Sequence, residues 1–478
     1  MLFNSAHFIL LYFPIVVLGY FGLPERFRWV WLLLASCYFY MAFIPYYILI
    51  LVFTILVDYV AGLLIAGATG PPRKTFLICS IVANVGTLAV FKYFNFFNTN
   101  LSQLAHAIGW NYGLHSLSLI LPIGLSFHTF QSMSYTIEVY RGRQQPERHL
   151  GIFALYVLFF PQLVAGPIER PQNLLHQFHE RHSFDYQRVR QGLLLMLWGI
   201  FQKMAIADRL APIVDRIYSD PQHYRGLPLA LATVLFAFQI LCDFAGYSEI
   251  AIGSAKVLGF TLMKNFRQPY LATSVAEFWK RWHISLSTWF RDYLYIPLGG
   301  SRVSAFRYYL NVLIVFTVSG LWHGANWTFV IWGALNGLFL VCGEALARGF
   351  TLPAQLVRVD FLTRLAHGAK VAWTFVLICI TWIFFRAPDV SHALYILRNL
   401  VPSRPFAELR SIGTTPLITS CALIVFFLVV SVARERVSLQ QILSRQPGYL
   451  RWLVYGSAVM SVLLMAEFSS KDFIYFQF

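Results

Sequence analysis

Residues 308–346 read YYLNVLIVFTVSGLWHGANWTFVIWGALNGLFLVCGEAL. Two apolar runs, 308–326 and 327–346, make up this stretch, and Glu344 is the one Asp, Glu, Lys or Arg within it. A helix needs about 20 mostly apolar residues to cross the hydrocarbon core of a membrane. The stretch therefore predicts two consecutive membrane-spanning helices.

Apolar runs of similar length recur along the chain. The predicted spans are 7–23, 29–45, 47–66, 76–97, 118–140, 192–207, 228–247, 308–326, 327–346, 370–385, 412–433 and 450–467. Segments 149–166, 249–263 and 284–300 are shorter or contain Pro and Gly, which indicates half-helices or re-entrant pieces. No basic region precedes the run 7–23 and no small-residue cleavage site follows it, so we interpret it as a retained span.

The composition is typical of a membrane protein. Hydrophobic residues make up 58% of the chain and charged residues 12%, whereas a soluble domain carries about 25% charged residues. So few charged side chains cannot cover that much apolar surface. We therefore predict an all-α polytopic membrane protein with a single membrane-embedded domain over residues 1–478, because no gap between runs is long enough for a soluble domain.

Basic residues are concentrated in short gaps between the apolar runs, and the formal net charge is +16. This pattern is typical of a positive-inside bias, so we expect no nucleic-acid partner. The gaps 24–28, 67–74 and 141–150 are basic, whereas 98–117 contains neither Lys nor Arg. The alternation predicts an N-terminus outside and a cytoplasmic stretch 264–307. Each of the six cysteines stands singly in an apolar run, so no metal site is predicted.

His323 and Asp243 lie inside predicted spans, where imidazole and carboxylate groups are costly. Sixteen residues at about 1.5 Å each separate His323 from basic Arg307, which places the histidine near the outer side. There it is suited to deprotonate a hydroxyl for acyl transfer. The alternative is a core histidine bonded to a backbone carbonyl. Asp243 has a similar alternative, an ion pair with a neighbouring helix.

His283 lies in the aromatic and basic segment EFWKRWHISLS, residues 277–287. Lys280 and Arg281 in this segment are suited to attract an anionic acyl donor, such as the phosphates of coenzyme A. We expect Trp279 beside them to contribute to the same donor site. The alternative is an ordinary anchor at the cytoplasmic membrane interface.

These residues belong to five blocks that resemble the membrane-bound O-acyltransferase (MBOAT) family, and within it bacterial subunits that O-acetylate alginate. In order, the blocks are PIGLSFH at 122–128, FPQLVAGPI at 160–168, CDFAGYS at 242–248, the segment 277–300 ending in RDYLYIPLGG, and WHG at 322–324. They are spread over residues 120–325, the motif core of the predicted domain.

The resemblance implies a ring of about 11–12 transmembrane helices, with re-entrant and interfacial helices, around a tunnel. It implies that His323 is the catalytic histidine and His283 a second motif histidine, with Asp243, Trp322 and Asn326 lining or supporting the tunnel. Trp322 or Asn326 is expected to stabilise an oxyanion. The implied donor is acetyl-CoA, without a tightly bound cofactor or a metal.

The implied function is O-acetylation of an exopolysaccharide such as alginate or cellulose, at a bacterial inner membrane. The aromatic tail DFIYFQF at 472–478 resembles a motif whose tyrosine, here Tyr475, carries the acyl group transiently. A phenol needs a base, for which His323 is expected. The implied partners are membrane lipid, an extracytoplasmic hydrolase-like acetyltransferase with a Ser nucleophile, and polysaccharide synthesis machinery. The tail's alternative is an aromatic belt at the interface.

Two other functions stay open at this point. One keeps the chemistry and changes the cargo, transferring D-alanyl from a carrier protein to a cell-envelope polymer. The other is a non-enzymatic transporter of polysaccharide or lipid, which discontinuous helices and membrane-buried charges also suit.

Overall fold

The structure, a computed structural model, describes residues 1–349, 360–401, 413–436, 445–467 and 473–474. These residues form helices and connecting segments, with no strand among them, which confirms the predicted all-α class. Eight helices within the described ranges are long and apolar enough to cross a membrane. They are Pro45–Gly67, Pro71–Ala107, Leu227–Leu258, Ala305–His323, Trp327–Leu346, Arg364–Arg386, Thr415–Arg434 and Gly448–Met465. Each of the eight overlaps a predicted span, and Pro71–Ala107 and Leu227–Leu258 extend well beyond theirs.

Two compact units divide the chain, and the first comprises Met1–Met196 and Tyr247–Met263. Its α-helices are α1 (Phe13–Gly22), α2 (Glu25–Met41), α3 (Ile48–Gly67), α4 (Pro71–Leu88), α5 (Phe94–Ala107), α6 (Leu125–Tyr140), α7 (Leu150–Leu158), α8 (Phe160–Leu163), α9 (Pro171–Leu174) and most of α10 (Tyr186–Ile200). Shorter π-helical and 3-10 segments are His7–Tyr12, Pro45–Tyr47, Ala89–Tyr93 and Leu175–His179.

A buried carboxylate lies at the centre of the α3, α4 and α6 packing in this unit. Asp58 Oδ1 accepts hydrogen bonds from Ser80 Oγ at 2.6 Å and Asn84 Nδ2 at 2.9 Å. Ser132 Oγ donates to the other carboxylate oxygen. Since these three side chains donate to it, the buried carboxyl group is hydrogen-bonded within the packed helices. This charged residue therefore has a structural role.

The second unit comprises Leu197–Gly246 and Lys264–Phe478. Its α-helices are α11 (Asp208–Ser219), the first part of α12 (Leu227–Leu258), α13 (Val275–Arg281), α14 (Ile284–Phe290), α15 (Ala305–His323), α16 (Trp327–Gly349), α17 (Asp360–Arg386), α18 (Val390–Arg398), α19 (Thr414–Arg436) and α20 (Gly448–Met465). Shorter π-helical and 3-10 segments are Phe201–Ala207, Pro221–His223, Pro269–Leu271 and Arg291–Tyr295.

Helices α15 and α16 are the two helices that residues 308–346 predict, and they pack closely. A Cβ atom added to Gly320 would lie 2.2 Å from the carbonyl oxygen of Phe329, and one added to Gly333 would lie 2.2 Å from that of Phe316. Small residues at such contacts let two helix backbones approach, as is common in membranes. The close approach fixes the end of α15, where His323 stands.

The predicted spans and short segments differ from the structure in two respects. Residues 249–263 do not form a re-entrant piece, because α12 continues without a break from Leu227 to Leu258. The predicted spans 7–23, 29–45, 118–140 and 192–207 are largely helical but are not among the eight long apolar helices. Helices α1 and α6 are short, and α10 carries Arg188 and Arg190.

Candidate active site

His323 is the last residue of α15, and its side chain is 4% exposed. Its ring is enclosed by aromatic rings, with centroids 5.0 Å from Trp322, 5.0 Å from Trp332 and 5.4 Å from Phe385. Gly324, which follows, leaves the helix in an extended conformation. The imidazole is therefore buried in an aromatic enclosure at the end of a membrane-spanning helix.

His283 stands at a break between two short helices, α13 and α14. Its backbone adopts φ 43° and ψ 54°, the left-handed region that a non-glycine residue enters at a cost of about 1–3 kcal/mol. The amide of Ile284 donates to the carbonyl oxygen of Asn265 at 2.9 Å, which helps to hold the turn. The sequence pattern predicts one amphipathic segment here, whereas the strained turn directs His283 inward, where it is 0% exposed.

The His283 ring has a polar side and an aromatic side. Nδ1 lies 3.2 Å from Asn265 Oδ1 and 3.4 Å from Ser285 Oγ. The ring centroid lies 4.6 Å from that of Phe244. Burial lowers the pKa of this imidazole, which is outside the eight spans, to about 3. His283 is therefore neutral near pH 7.

Trp322 contacts both histidines. Its ring centroid is 6.3 Å from that of His283 and 5.0 Å from that of His323. Trp322 is itself 4% exposed. The structure thus brings together three of the predicted site residues in one buried cluster, in which both imidazoles contact the same indole.

The three predicted donor-binding residues do not share one surface. Lys280 is exposed. Arg281 is partly buried, and its Nη2 lies 2.5 Å from Glu277 Oε1. The hydroxyl and amide of Thr273, together with Arg281, lower the pKa of Glu277 to about 2, so this carboxylate is ionised near pH 7.

Trp279 and Trp282 pack inside the protein, unlike the exposed rings that the alternative of an interfacial anchor predicts. Trp279 is 9% exposed and packs with ring centroids 5.2 Å from Phe316 and 5.7 Å from Trp332. Trp282 is 1% exposed, with its ring 5.0 Å from Trp382. Trp279 and Trp282 therefore belong to an internal aromatic cluster, because α13 packs on α16 and α17.

Asp243 belongs to a buried ion cluster. Lys203 Nζ lies 2.6 Å from Asp243 Oδ1 and 2.8 Å from Asp208 Oδ1. Lys203 is carried by the π-helical segment Phe201–Ala207, and such segments frequently occur at functional sites. Asp243 therefore forms a buried ion pair with Lys203, as the alternative interpretation of this residue predicts.

Asp243 also binds the segment that precedes Tyr475. The amide of Ile474 donates to Asp243 Oδ2 at 2.8 Å, and Phe473 and Ile474 are both buried. The Phe473 ring lies 5.6 Å from Phe244, the same ring that contacts His283. Residues 473–474 thus lie one aromatic ring away from His283, while Tyr475 itself lies outside the described residues.

Asn326 has a structural role at the start of α16. Its Oδ1 accepts from the amide of Thr328 at 3.1 Å, and its Nδ2 donates to the carbonyl oxygen of Pro388 at 3.0 Å. These bonds make Asn326 the N-cap of the helix. Its predicted role as an oxyanion donor stays a prediction.

Sequence reasoning missed several groups that complete the site. Asn265 and Ser285 hold His283, Phe244 links it to Phe473, and Lys203 neutralises Asp243. Lys203 was open to detection, because it is a rare cation inside an apolar run. The other groups meet only through tertiary packing and have no local sequence signal.

The long apolar helices define a multi-pass membrane protein. The model of the MBOAT, membrane-bound O-acyltransferase, family matches residues 149–386, which include His283 and His323. The chain belongs to this family. It is therefore a multi-pass membrane O-acyltransferase and not a non-enzymatic transporter.

Two relatives are similar to this protein over most of the chain. It is 39% identical over 406 residues to the probable alginate O-acetylase of Azotobacter vinelandii, covering 83% of this chain and 77% of the relative. It is 34% identical over 441 residues to the peptidoglycan O-acetyltransferase of Helicobacter pylori, covering 84% and 80%. A teichoic acid D-alanyltransferase of Streptococcus thermophilus matches less, at 28% identity over 284 residues, covering 50% and 65%.

Proposed function

We propose that this protein moves an acetyl group from cytoplasmic acetyl-CoA across the bacterial inner membrane for O-acetylation of an exopolysaccharide such as alginate or cellulose. The observation that carries the proposal is the buried cluster of His283, Trp322 and His323 in a membrane-spanning chain. Relatives named for O-acetylation of alginate and of peptidoglycan support acetyl as the cargo and a cell-envelope polymer as the acceptor.

His323 is the proposed general base. Its imidazole takes the proton of an attacking hydroxyl, whose oxygen bonds to the acetyl carbonyl carbon. The C–S bond of the thioester then breaks, and the proton passes to the departing thiolate, which leaves as the thiol of coenzyme A. A thioester is already activated, so no nucleotide is consumed at this step. The aromatic enclosure contributes by excluding water and orienting both reactants.

Tyr475 is the proposed first acceptor. Its phenol oxygen would attack the thioester and form an aryl ester, and the coenzyme A thiol would leave with the phenolic proton. A Ser hydroxyl on an extracytoplasmic hydrolase-like partner would next attack this ester, regenerate the phenol and pass the acetyl group to the polymer. The burial of Phe473 and Ile474 beside Asp243 and Phe244 supports a tail that approaches the histidine pair. Polysaccharide synthesis machinery and membrane lipid complete the proposed partners.

The orientation is part of the proposal, with the N-terminus outside and the segment 264–307 in the cytoplasm. Exposed Lys280 would then face the donor's side of the membrane. Arg281, held by Glu277, contributes less to an anionic donor, because its charge is already paired.

Reversing the charge of Lys280 is expected to weaken donor binding. Lys280→Glu should raise KM for acetyl-CoA several-fold at low ionic strength and leave kcat near the wild-type value. The difference should shrink as salt increases, because exposed charges are screened within about 10 Å at 0.1 M. The measurement is the rate of [14C]acetyl transfer in isolated membranes over a range of acetyl-CoA concentrations.

A matched control for this variant is Arg302→Glu, which changes another exposed basic residue of the same unit. Its KM should stay at the wild-type value. If the two variants have equal KM values, Lys280 does not contact the donor and only contributes to general surface charge.

D-alanyl transfer is the second candidate, and the partial match to a teichoic acid D-alanyltransferase favours it to a limited degree. Isolated membranes that contain the protein should incorporate label from [14C]acetyl-CoA and not from a carrier protein loaded with [14C]D-alanine. Labelling from the D-alanyl carrier alone would establish the second candidate instead.

A further inference from the structure

Three contacts converge on one oxygen atom beside His283. Asn265 Oδ1 lies 3.2 Å from the amide nitrogen of Ser285, 2.9 Å from Ser285 Oγ and 3.2 Å from His283 Nδ1. All three residues are fully or almost fully buried. The backbone amide of Ser285 can only donate, so the atom that faces it must be the amide oxygen of Asn265 and not its nitrogen.

The tautomer of His283 follows from this assignment. Two acceptors do not attract each other, so a ring nitrogen 3.2 Å from an amide oxygen carries the proton. Nδ1 therefore donates to Asn265 Oδ1, and Nε2 of the neutral ring keeps its lone pair. An imidazole held in this way offers a fixed hydrogen-bond acceptor on its opposite edge.

We propose that Asn265 is a positioning residue that holds His283 as the Nδ1-protonated tautomer and thereby aims the Nε2 lone pair at the reacting groups. This inference rests on the proposed function, in which His283 takes part in acyl transfer. The strained backbone of His283, at φ 43°, agrees with it, because an energetically costly turn is retained where it fixes the direction of a side chain.

The groups around His283 explain why Nδ1 has a neutral hydrogen-bond partner. Phe244 on α12, Phe266 in the preceding loop and Trp322 on α15 are the rings that pack against it. The titratable and charged groups within two residues of these rings or of His283 along the chain are Cys242, Asp243, Lys264, Arg267, Arg281 and His323. Asp243 is paired with Lys203, and Arg281 with Glu277. An amide oxygen orients the imidazole without adding a charge that would favour its protonation.

Two variants of Asn265 separate positioning from simple packing. Asn265→Ala removes the acceptor, and we expect kcat to fall about 10- to 100-fold with KM for acetyl-CoA little changed. Asn265→Asp keeps an acceptor for Nδ1 and for Ser285, so its kcat at pH 8 should stay within a few-fold of the wild-type value. Both are measured as [14C]acetyl transfer in isolated membranes that hold equal amounts of the full chain.

The pH profile of Asn265→Asp is the decisive readout. In the wild type, burial lowers the pKa of His283 to about 3, so the ring stays neutral from pH 5 to pH 9. A carboxylate beside Nδ1 favours the imidazolium and raises that pKa, by about 1–3 units for a close opposite charge. Protonation at Nε2 removes the acceptor. As the pH is lowered, Asn265→Asp should therefore lose activity at a higher pH than the wild type does. The acid limb should move up by at least one pH unit.

The control is Asn399→Asp, which places the same change at the end of α18, where the side chain donates to the carbonyl oxygen of Tyr395. Its pH profile should coincide with that of the wild type. An Asn265→Asp profile that also coincides with the wild type would overturn the proposal and leave Asn265 with a structural role only. Wild-type kcat in Asn265→Ala would overturn it as well, provided that His283→Ala is inactive. If His283→Ala and His323→Ala are both fully active, the proposed function fails instead.

Discussion

Replacing His323 with alanine is expected to remove acetylation of the secreted polymer while the protein remains inserted in the membrane. The imidazole is the proposed base, and loss of a general base costs about 10²–10⁴-fold in rate. His323→Gln should be equally inactive, because it retains much of the side-chain volume in the aromatic enclosure but provides no base. The measurement is the acetyl content of polymer from cells that carry each variant in place of the wild-type gene.

The control for both variants is His367→Ala, which removes an exposed imidazole from α17. It should leave the acetyl content unchanged, and all three proteins should be present in membranes at wild-type levels. Near-normal acetylation in His323→Gln would show that this imidazole is a packing residue and would contradict its role as the base.

Replacing Tyr475 with phenylalanine has the second large expected effect. Tyr475→Phe removes the phenol oxygen and keeps the ring, so insertion and acetyl-CoA binding should match the wild type. Polymer acetylation should fall to the background level, because the aryl ester cannot form. Binding is measured with labelled coenzyme A on purified protein, and acetylation as the acetyl content of the polymer.

Tyr449→Phe is the matched control, since Tyr449 is an exposed tyrosine at the start of α20. Its acetylation should equal that of the wild type. If Tyr475→Phe also acetylates the polymer normally, the polymer or its partner enzyme takes the acetyl group directly, and the tail serves as an anchor.

The positions of most long membrane-spanning helices along the chain were predictable, because local apolar content determines where a helix can span a membrane. The predicted spans 308–326 and 327–346 correspond to α15 and α16. Gly320 and Gly333, at the contact of these two helices, allow their close packing. The end of the predicted span 228–247 was wrong. Glu249 and Lys256 interrupt the apolar run, yet α12 continues to Leu258, since helix formation does not end where a segment becomes polar.

The site was predicted in part. His323 and His283 could be selected as candidates from the sequence, because each follows a Trp in a block that resembles a family motif. The inward turn at His283 could not be predicted, since the segment has the composition of an interfacial helix and a positive φ at a non-glycine residue leaves no trace in the sequence. Asn265 lies eighteen residues before His283, and only the folded chain brings its amide oxygen to Nδ1.

Transfer across the membrane is the central claim, and inverted membrane vesicles test it most directly. Vesicles from the polymer-producing cell expose the cytoplasmic face outward and hold the partners and polymer in their lumen. With [14C]acetyl-CoA supplied outside, we predict labelled polymer inside wild-type vesicles, and none in vesicles that carry His323→Ala. Label that reaches the polymer only when acetyl-CoA is enclosed in the lumen, or equal labelling in the two kinds of vesicle, would contradict the account.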